Sequence, residues 1–166
     1  MSYYKYGYED GRRGVEAKIS VNDGLMKIKI YGSDHGYDWL VNFRAWPRRY
    51  GFHKGWYNEA EKLYDFIDEN VEDHIEKIEI IGQSAGGAIG AILMFMFYLP
   101  VTVITVNSPS HGKAYRMSEN ITALVHRGDI VRHFPIFYAK PKIKKYGRFT
   151  WFWKAHNEMP EVWREW

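Results

Sequence analysis

Apolar and polar residues alternate along VEAKISV, residues 15–21, and again along LMKIKIY, 25–31. Period two is the signature of a strand with one buried face. NDG lies between the two stretches, and its residues accept the positive φ of a tight turn, so a hairpin is predicted. A glycine-punctuated aromatic segment, 32–56, comes next. The period then changes. Ala60, Leu63, Tyr64, Ile67 and Val71 recur at helical spacing. Asn58 with Glu61 predicts the start of that helix, the Asn58 oxygen accepting from a free backbone N–H. KIEII, 77–81, predicts a strand. Residues 85–98 are apolar on nearly all sides and predict a buried helix, stopped by Pro100. VTVITV, 101–106, has little polar alternation, as a strand covered on both faces would, and ITALVH, 121–126, predicts another. The tail, 150–166, mixes Trp, Phe and charges. This order predicts an α/β domain: a mostly parallel central sheet with helices on both faces. No repeat, low-complexity tract or linker interrupts it, and 166 residues suit one domain over 1–166.

Composition adds bounds rather than chemistry. Hydrophobic residues make up 46% and charged residues 26%, an ordinary globular balance. Aromatics reach 17%, which predicts large rings in the core and some on the surface. The net charge of +3 is too mild to argue for nucleic acid. Arg132, Lys140, Lys142, Lys144, Lys145 and Arg148 gather the basic excess late in the chain. They read as a solvated rim, or as a weak attraction to an anionic lipid surface. With no cysteine, disulfides, zinc-thiolate sites and thiol nucleophiles are excluded. The polar, tyrosine-rich start MSYYKYGYEDGRRG has no signal-peptide pattern, and the longest apolar run, 88–99, is too short to span a bilayer. A cytoplasmic location is the expectation, with release by another route left open.

The chemistry concentrates at IEIIGQSAGGAIGAILMF, 78–95. Gly82-Gln83-Ser84-Ala85-Gly86 fits G-x-S-x-G, and it joins a predicted strand directly to a predicted helix. Such a turn exposes the serine hydroxyl at the carboxyl end of the strand. Gly82 and Gly86 let strand and helix close around it. The helix start supplies free N–H groups and positive potential for a developing oxyanion. A plain turn packed with small residues is the alternative. A serine needs a base, and in this kind of sheet the acid and then the histidine follow it in the chain. Asp129, just past ITALVH, is the sole aspartate after Ser84; Glu119, Glu158, Glu161 and Glu165 are the other acids. An aspartate bonding its own turn is the alternative role for Asp129. His133 and His156 lie downstream. His133 follows Asp129 too closely to bridge acid and serine, so His156 is the preferred base. His111 precedes Asp129 and breaks the order.

These segments resemble the class 3 lipase family, the fungal-type triacylglycerol lipase group of α/β-hydrolases. The resemblance runs from about residue 25 to 161. It is carried by IKIYGSDHGYDWLVNF with Gly32-Ser33 and Asp38-Trp39-Leu40, by FHKGWYNEA, by the elbow Gly82–Ala88, loosely by VNSPSHG and closely by RGDIVRHFP. It implies an oxyanion hole built from Ser33 and the N–H of Ala85. It also implies a lid over 35–52, with Tyr37, Trp39, Leu40 and Trp46 toward an acyl pocket. Gln83 stands where the family has His, and Tyr31 where it has Arg. The family's catalytic histidine follows a Glu-x-Trp element; PEVW, 160–163, has no histidine after it, and the chain reads as a shortened variant in which His156 is itself the base. The expected activity is that of a serine carboxylester hydrolase, with Ser84, His156 and Asp129 as triad and neither metal nor organic cofactor. The expected partner is a small-molecule or lipid ester, with no nucleic acid. A thioesterase or amidase on the same constellation, or a non-catalytic relative serving as a binding module, are the rival readings.

Overall fold

The computed structural model describes residues 1–7, 15–32, 48–71, 74–109, 119–131 and 143–166, without the side chains of Arg48, Arg49, Phe152 and Trp153. Seven strands form one sheet in the order β1 (Ser2–Tyr6), β2 (Glu16–Asn22), β3 (Leu25–Tyr31), β6 (Lys77–Gln83), β7 (Val101–Val106), β8 (Ile121–His126) and β9 (Ile143–Tyr146). The first two pairings are antiparallel and the other four parallel. The predicted hairpin is β2–β3, with Asn22 opposite Leu25 and the turn made by Asp23 and Gly24, both at positive φ. A two-stranded ribbon, β4 (Arg48–Arg49) and β5 (Phe52–His53), leads into helix α1 (Lys54–Asn70).

Each face of the sheet has its own apolar layer. Met26, Ile28 and Ile30 of β3 and Ile78 and Ile80 of β6 point to one face. There they meet Ala60, Leu63 and Ile67 of α1 and the wholly apolar α2 (Ala85–Leu93). Ile81 and Val106 point to the other face and meet Trp163 of α4 (Glu161–Arg164), which follows α3 (Phe152–Asn157). Tyr31 packs edge-on against Trp163, with ring centroids 5.5 Å apart. Lys29 sits 4.5 Å from the Trp163 ring centroid, and its ammonium donates to Trp163 O at 2.5 Å and Trp166 O at 3.2 Å. The C-terminal segment is therefore pinned across the middle of the sheet.

The structure departs from the sequence expectations at several ends. Helix α1 begins at Lys54, after an extended His53, so Asn58 lies inside the helix rather than at its cap. Trp56, buried on the first turn, gives the earlier start an apolar anchor that a cap at Asn58 would forfeit. Helix α2 ends at Leu93, and Met94–Met96 close it with tighter turns, so Pro100 is not what stops it. Besides the short ribbon β4–β5, two strands of the main sheet fall where the pattern predicts none. SYYKY forms β1, and the lysine-bearing IKKY forms β9 at the opposite edge. Charged side chains on an edge strand discourage pairing with other chains, which gives Lys144 and Lys145 a structural role. No helix among the described residues is long and apolar enough to cross a membrane.

Candidate active site

The parallel strands are in register at their carboxyl ends. Ile30 pairs with Gly82, Gln83 with Val106, Val106 with Leu124, and His126 with Tyr146. Residues that follow these ends therefore emerge along one edge: Gly32, Ser84, Asn107 and Asp129. Parallel sheets present ligand sites along this edge because the loops there leave the strands together.

Ser84 is the hinge between β6 and α2. Its φ of 50° and ψ of −127° are a strained conformation for a residue with a Cβ. Tight packing of strand on helix holds it there. A Cβ on Gly82 would run into the Gly86 backbone, and one on Gly86 would lie 2.6 Å from Ile30 O. Ser84 N donates to Val106 O at 2.9 Å, and Ser84 O accepts from Gly87 N at 3.0 Å. The residue is 7% exposed. Its hydroxyl is turned away from the sheet toward the C-terminal helix α3.

His156 lies on that helix and is buried. Its Nε2 is 3.1 Å from Ser84 Oγ, and its Nδ1 is 3.1 Å from Asp129 Oδ2. With the proton on Nδ1, the ring donates to Asp129 and accepts from the serine hydroxyl. Asp129 is itself fixed. Its N donates to His126 O at 3.0 Å, and its Oδ1 accepts from Val131 N at 2.9 Å. The three side chains thus form one buried hydrogen-bonded chain from Ser84 through His156 to Asp129. His133 and His111 lie outside the described residues, as do Ser33, Tyr37, Trp39, Leu40 and Trp46. Gly32 is described, and a Cβ there would come within 3.0 Å of Ser84 Cβ and 3.6 Å of its Oγ. The segment leaving β3 therefore starts beside the hydroxyl. Ala85 opens α2, where a backbone N–H has no acceptor within the helix.

A second layer of polar groups lies behind the chain, and sequence reasoning missed it. Asn107, wholly buried at φ 49°, bonds backbone atoms of both β8 and the α3 region. His126 is also wholly buried. Its Nδ1 accepts from Gly128 N at 3.3 Å, and its Nε2 lies 3.3 Å from Glu158 Oε2. Tyr146 stacks edge-on against His126 and donates its hydroxyl to Glu158 O at 2.6 Å. Burial, the largest influence on this phenol, pushes its pKa upward; the charges of Asp129 and Glu158 push the same way and a hydrogen bond with Asn107 opposes them. The available signal was Asn107 itself, a residue tolerant of positive φ directly after a β-branched run. Among the described residues no group of three or more His, Asp or Glu side chains is disposed to hold a metal ion.

Neither a family model nor a curated protein matches this sequence. A solved structure does match its fold: the Lip2 lipase of Yarrowia lipolytica, with a TM-score of 0.59 and 18% sequence identity. The match covers 88% of this chain and 66% of that one, so the chain spans just under two thirds of the lipase it resembles. At that identity the likeness speaks for architecture: the chain has an α/β-hydrolase-like fold, and a protein that shares this fold with it is a lipase.

Proposed function

We propose that this protein is a serine carboxylester hydrolase of the lipase or esterase type, with Ser84 as nucleophile, His156 as base and Asp129 as orienting acid. The observation that carries this reading is the buried hydrogen-bonded chain, with 3.1 Å at each of its two links, ending on a serine held at positive φ. A buried serine–imidazole–carboxylate relay is an expensive way to stabilise a fold, since three polar groups leave water to satisfy one another. It is an efficient way to make a hydroxyl nucleophilic.

The reaction follows from the atoms. Ser84 Oγ attacks the acyl carbonyl carbon while His156 Nε2 takes the hydroxyl proton. Asp129 keeps the other ring proton on Nδ1 and stabilises the imidazolium that results. The carbonyl oxygen becomes an oxyanion, which the N–H of Ala85 and a donor from Ser33 stabilise. His156 returns the proton to the departing alcohol. Water, deprotonated by the same imidazole, then releases the acid from the acyl-enzyme.

A lipid ester is the proposed substrate class. Its support is the fold shared with a lipase, together with exposed aromatics near the acid loop. A Cβ on Gly128 would meet the backbone of Thr150, so the acid loop and the 149–151 segment are adjacent. Ile130, Phe149 and Trp151 are exposed there. The test is labelling by a fluorophosphonate probe alongside hydrolysis of p-nitrophenyl esters. Labelling of the wild type and none of Ser84→Ala, with ester turnover lost in parallel, is the expected result. A folded wild type that neither labels nor turns over esters overturns the reading and favours a binding module.

A further inference from the structure

We propose that Asn107 is the positioning residue of this site: its carboxamide, with the carbonyl of the residue before it, sets the spacing between nucleophile, base and acid. The inference rests on the functional reading above and goes one layer deeper. Its geometry stands on six hydrogen bonds. Val106 O accepts from Ser84 N at 2.9 Å, which fixes the nucleophile's backbone to the end of β7. One residue later, Asn107 Nδ2 faces three carbonyls of the C-terminal segment: Ala155 at 3.1 Å, His156 at 2.9 Å and Glu158 at 3.3 Å. Asn107 Oδ1 accepts from His126 N at 2.9 Å, and His126 O in turn accepts from Asp129 N at 3.0 Å. Two adjacent residues, Val106 and Asn107, thus hold all three members of the Ser84–His156–Asp129 chain.

The residue type follows from three demands at that point. The backbone sits at φ 49°, which asparagine tolerates better than residues of comparable size. The side chain must accept on one side, from a strand N–H, and donate on the other, to carbonyls. A carboxamide does both without carrying charge, from two separate atoms that face opposite ways. The site is wholly buried, so a charged substitute would be desolvated without a counter-ion.

Helix α3 needs such an anchor. It has six residues, too few to be stable alone. Ala155 O and His156 O belong to its last turn, where carbonyls lack intrahelical donors. Asn107 supplies donors from outside and so places the helix that carries His156. Displacing a reacting group by about 1 Å costs on the order of 10²-fold in rate.

Asn107→Gly removes the carboxamide and accepts the positive φ, and Asn107→Asp keeps the acceptor while replacing the donor. Circular dichroism establishes that each is folded before it is assayed. Asn107→Gly is expected to lower kcat on a p-nitrophenyl ester by roughly 10²-fold with KM within about twofold, because geometry rather than binding is lost. Fluorophosphonate labelling of Ser84 slows in parallel, and the downfield proton resonance of His156 Nδ1–H shifts or broadens. Asn107→Asp falls at neutral pH and recovers relative to wild type as pH drops, since protonating the new carboxyl restores a donor. Asn107→Gly with wild-type kcat, labelling rate and Nδ1–H resonance, and only a lower melting temperature, overturns the proposal. If the wild type itself neither labels nor hydrolyses esters, the functional reading fails. The resonance still decides whether Asn107 positions the ring: a change in Asn107→Gly supports that role, and an unchanged resonance overturns it.

Discussion

His156 and Ser84 are 72 residues apart in the chain and 3.1 Å apart at Nε2 and Oγ. That contact joins the first turn after β6 to a six-residue helix near the C-terminus, and a third group, Asp129, closes on the far side of the ring at 3.1 Å. Groups that work as a unit lose their effect together. Ser84→Ala and His156→Ala are each expected to lower kcat at least ~10³-fold, and the double variant no further. Asp129→Asn leaves the ring free to take the wrong tautomer and is expected to fall by a comparable order. Steady-state turnover of a p-nitrophenyl ester across the four variants checks this. Losses that add in the double variant would mean that the two side chains act separately.

The backbone of Ser84 stores strain that its side chain does not relieve. A φ of 50° with ψ of −127° suits glycine, and such positions cost a residue bearing a Cβ about 1–3 kcal/mol. Both Ser84→Gly and Ser84→Ala remove the hydroxyl, but only the first removes the Cβ. Ser84→Gly is therefore expected to be more stable than Ser84→Ala by about 1 kcal/mol, after the entropy that glycine adds to the unfolded chain. Urea unfolding of the two inactive variants measures the difference directly. Equal stabilities would show that the surrounding packing, not the Cβ, sets the conformation.

The same elbow shows why part of this site was legible before any coordinates. Strand, glycine, serine, glycine and helix follow one another within a few residues, so local spacing carries the geometry. The acid was legible for a similar reason: Asp129 follows its strand within three residues. His156 was reached by elimination. No local pattern says that a helix at 152–157 folds back over residue 84. The layer behind was invisible because its bonds are long-range and run to backbone carbonyls, as with Asn107 and residues 155, 156 and 158. The two missed strands of the main sheet failed for another reason. Both are edge strands with alternating exposure or lysines, and their stability comes from a neighbour rather than from their own apolar content. The spacing places the cap too late, at Asn58, because the buried Trp56 lies upstream of the periodic apolar run. Of the expected lid, 35–52, residues 35–47 lie outside the described residues, as does the Ser33 donor, and 48–52 belong to the ribbon that leads into α1.

Tyr146 gives the site an alkaline limit. Its hydroxyl donates to Glu158 O at 2.6 Å, and burial raises its pKa above the usual 10. The folded state therefore holds this proton at pH values where the unfolded chain releases it. The resulting stability is intact below pH 10 and declines as pH rises past it. Tyr146→Phe loses the hydrogen bond, about 1 kcal/mol at neutral pH, and loses that part of the alkaline decline. Denaturant titrations at pH 8 and pH 11 should show the wild-type advantage shrinking. An advantage that is constant across this range would place the phenol in water instead.

The exposed rings beside the acid loop make the last prediction one about surfaces. Phe149 is 83% exposed and Trp151 91%, and Ile130 projects from the loop that carries Asp129. Bare aromatic area of this kind serves no packing purpose in the described fold, and it follows Lys144, Lys145 and Arg148 closely in the chain, all of them exposed. Rings with neighbouring cations suit an anionic lipid–water boundary, where the ring enters the headgroup region and the cation stays wet. Burying one such side chain contributes up to about 1.5–3 kcal/mol, roughly tenfold or more in binding. Phe149→Ser with Trp151→Ser is thus expected to lose at least ~10-fold in sedimentation with vesicles containing phosphatidylserine. Hydrolysis of a dissolved short-chain ester should stay within about twofold, because neither ring belongs to the Ser84–His156–Asp129 chain. Raising salt should weaken wild-type binding further, by screening the three cations. If the double variant binds such vesicles as tightly as the wild type, these rings do not form the docking face, and another surface must bring Ser84 to its substrate.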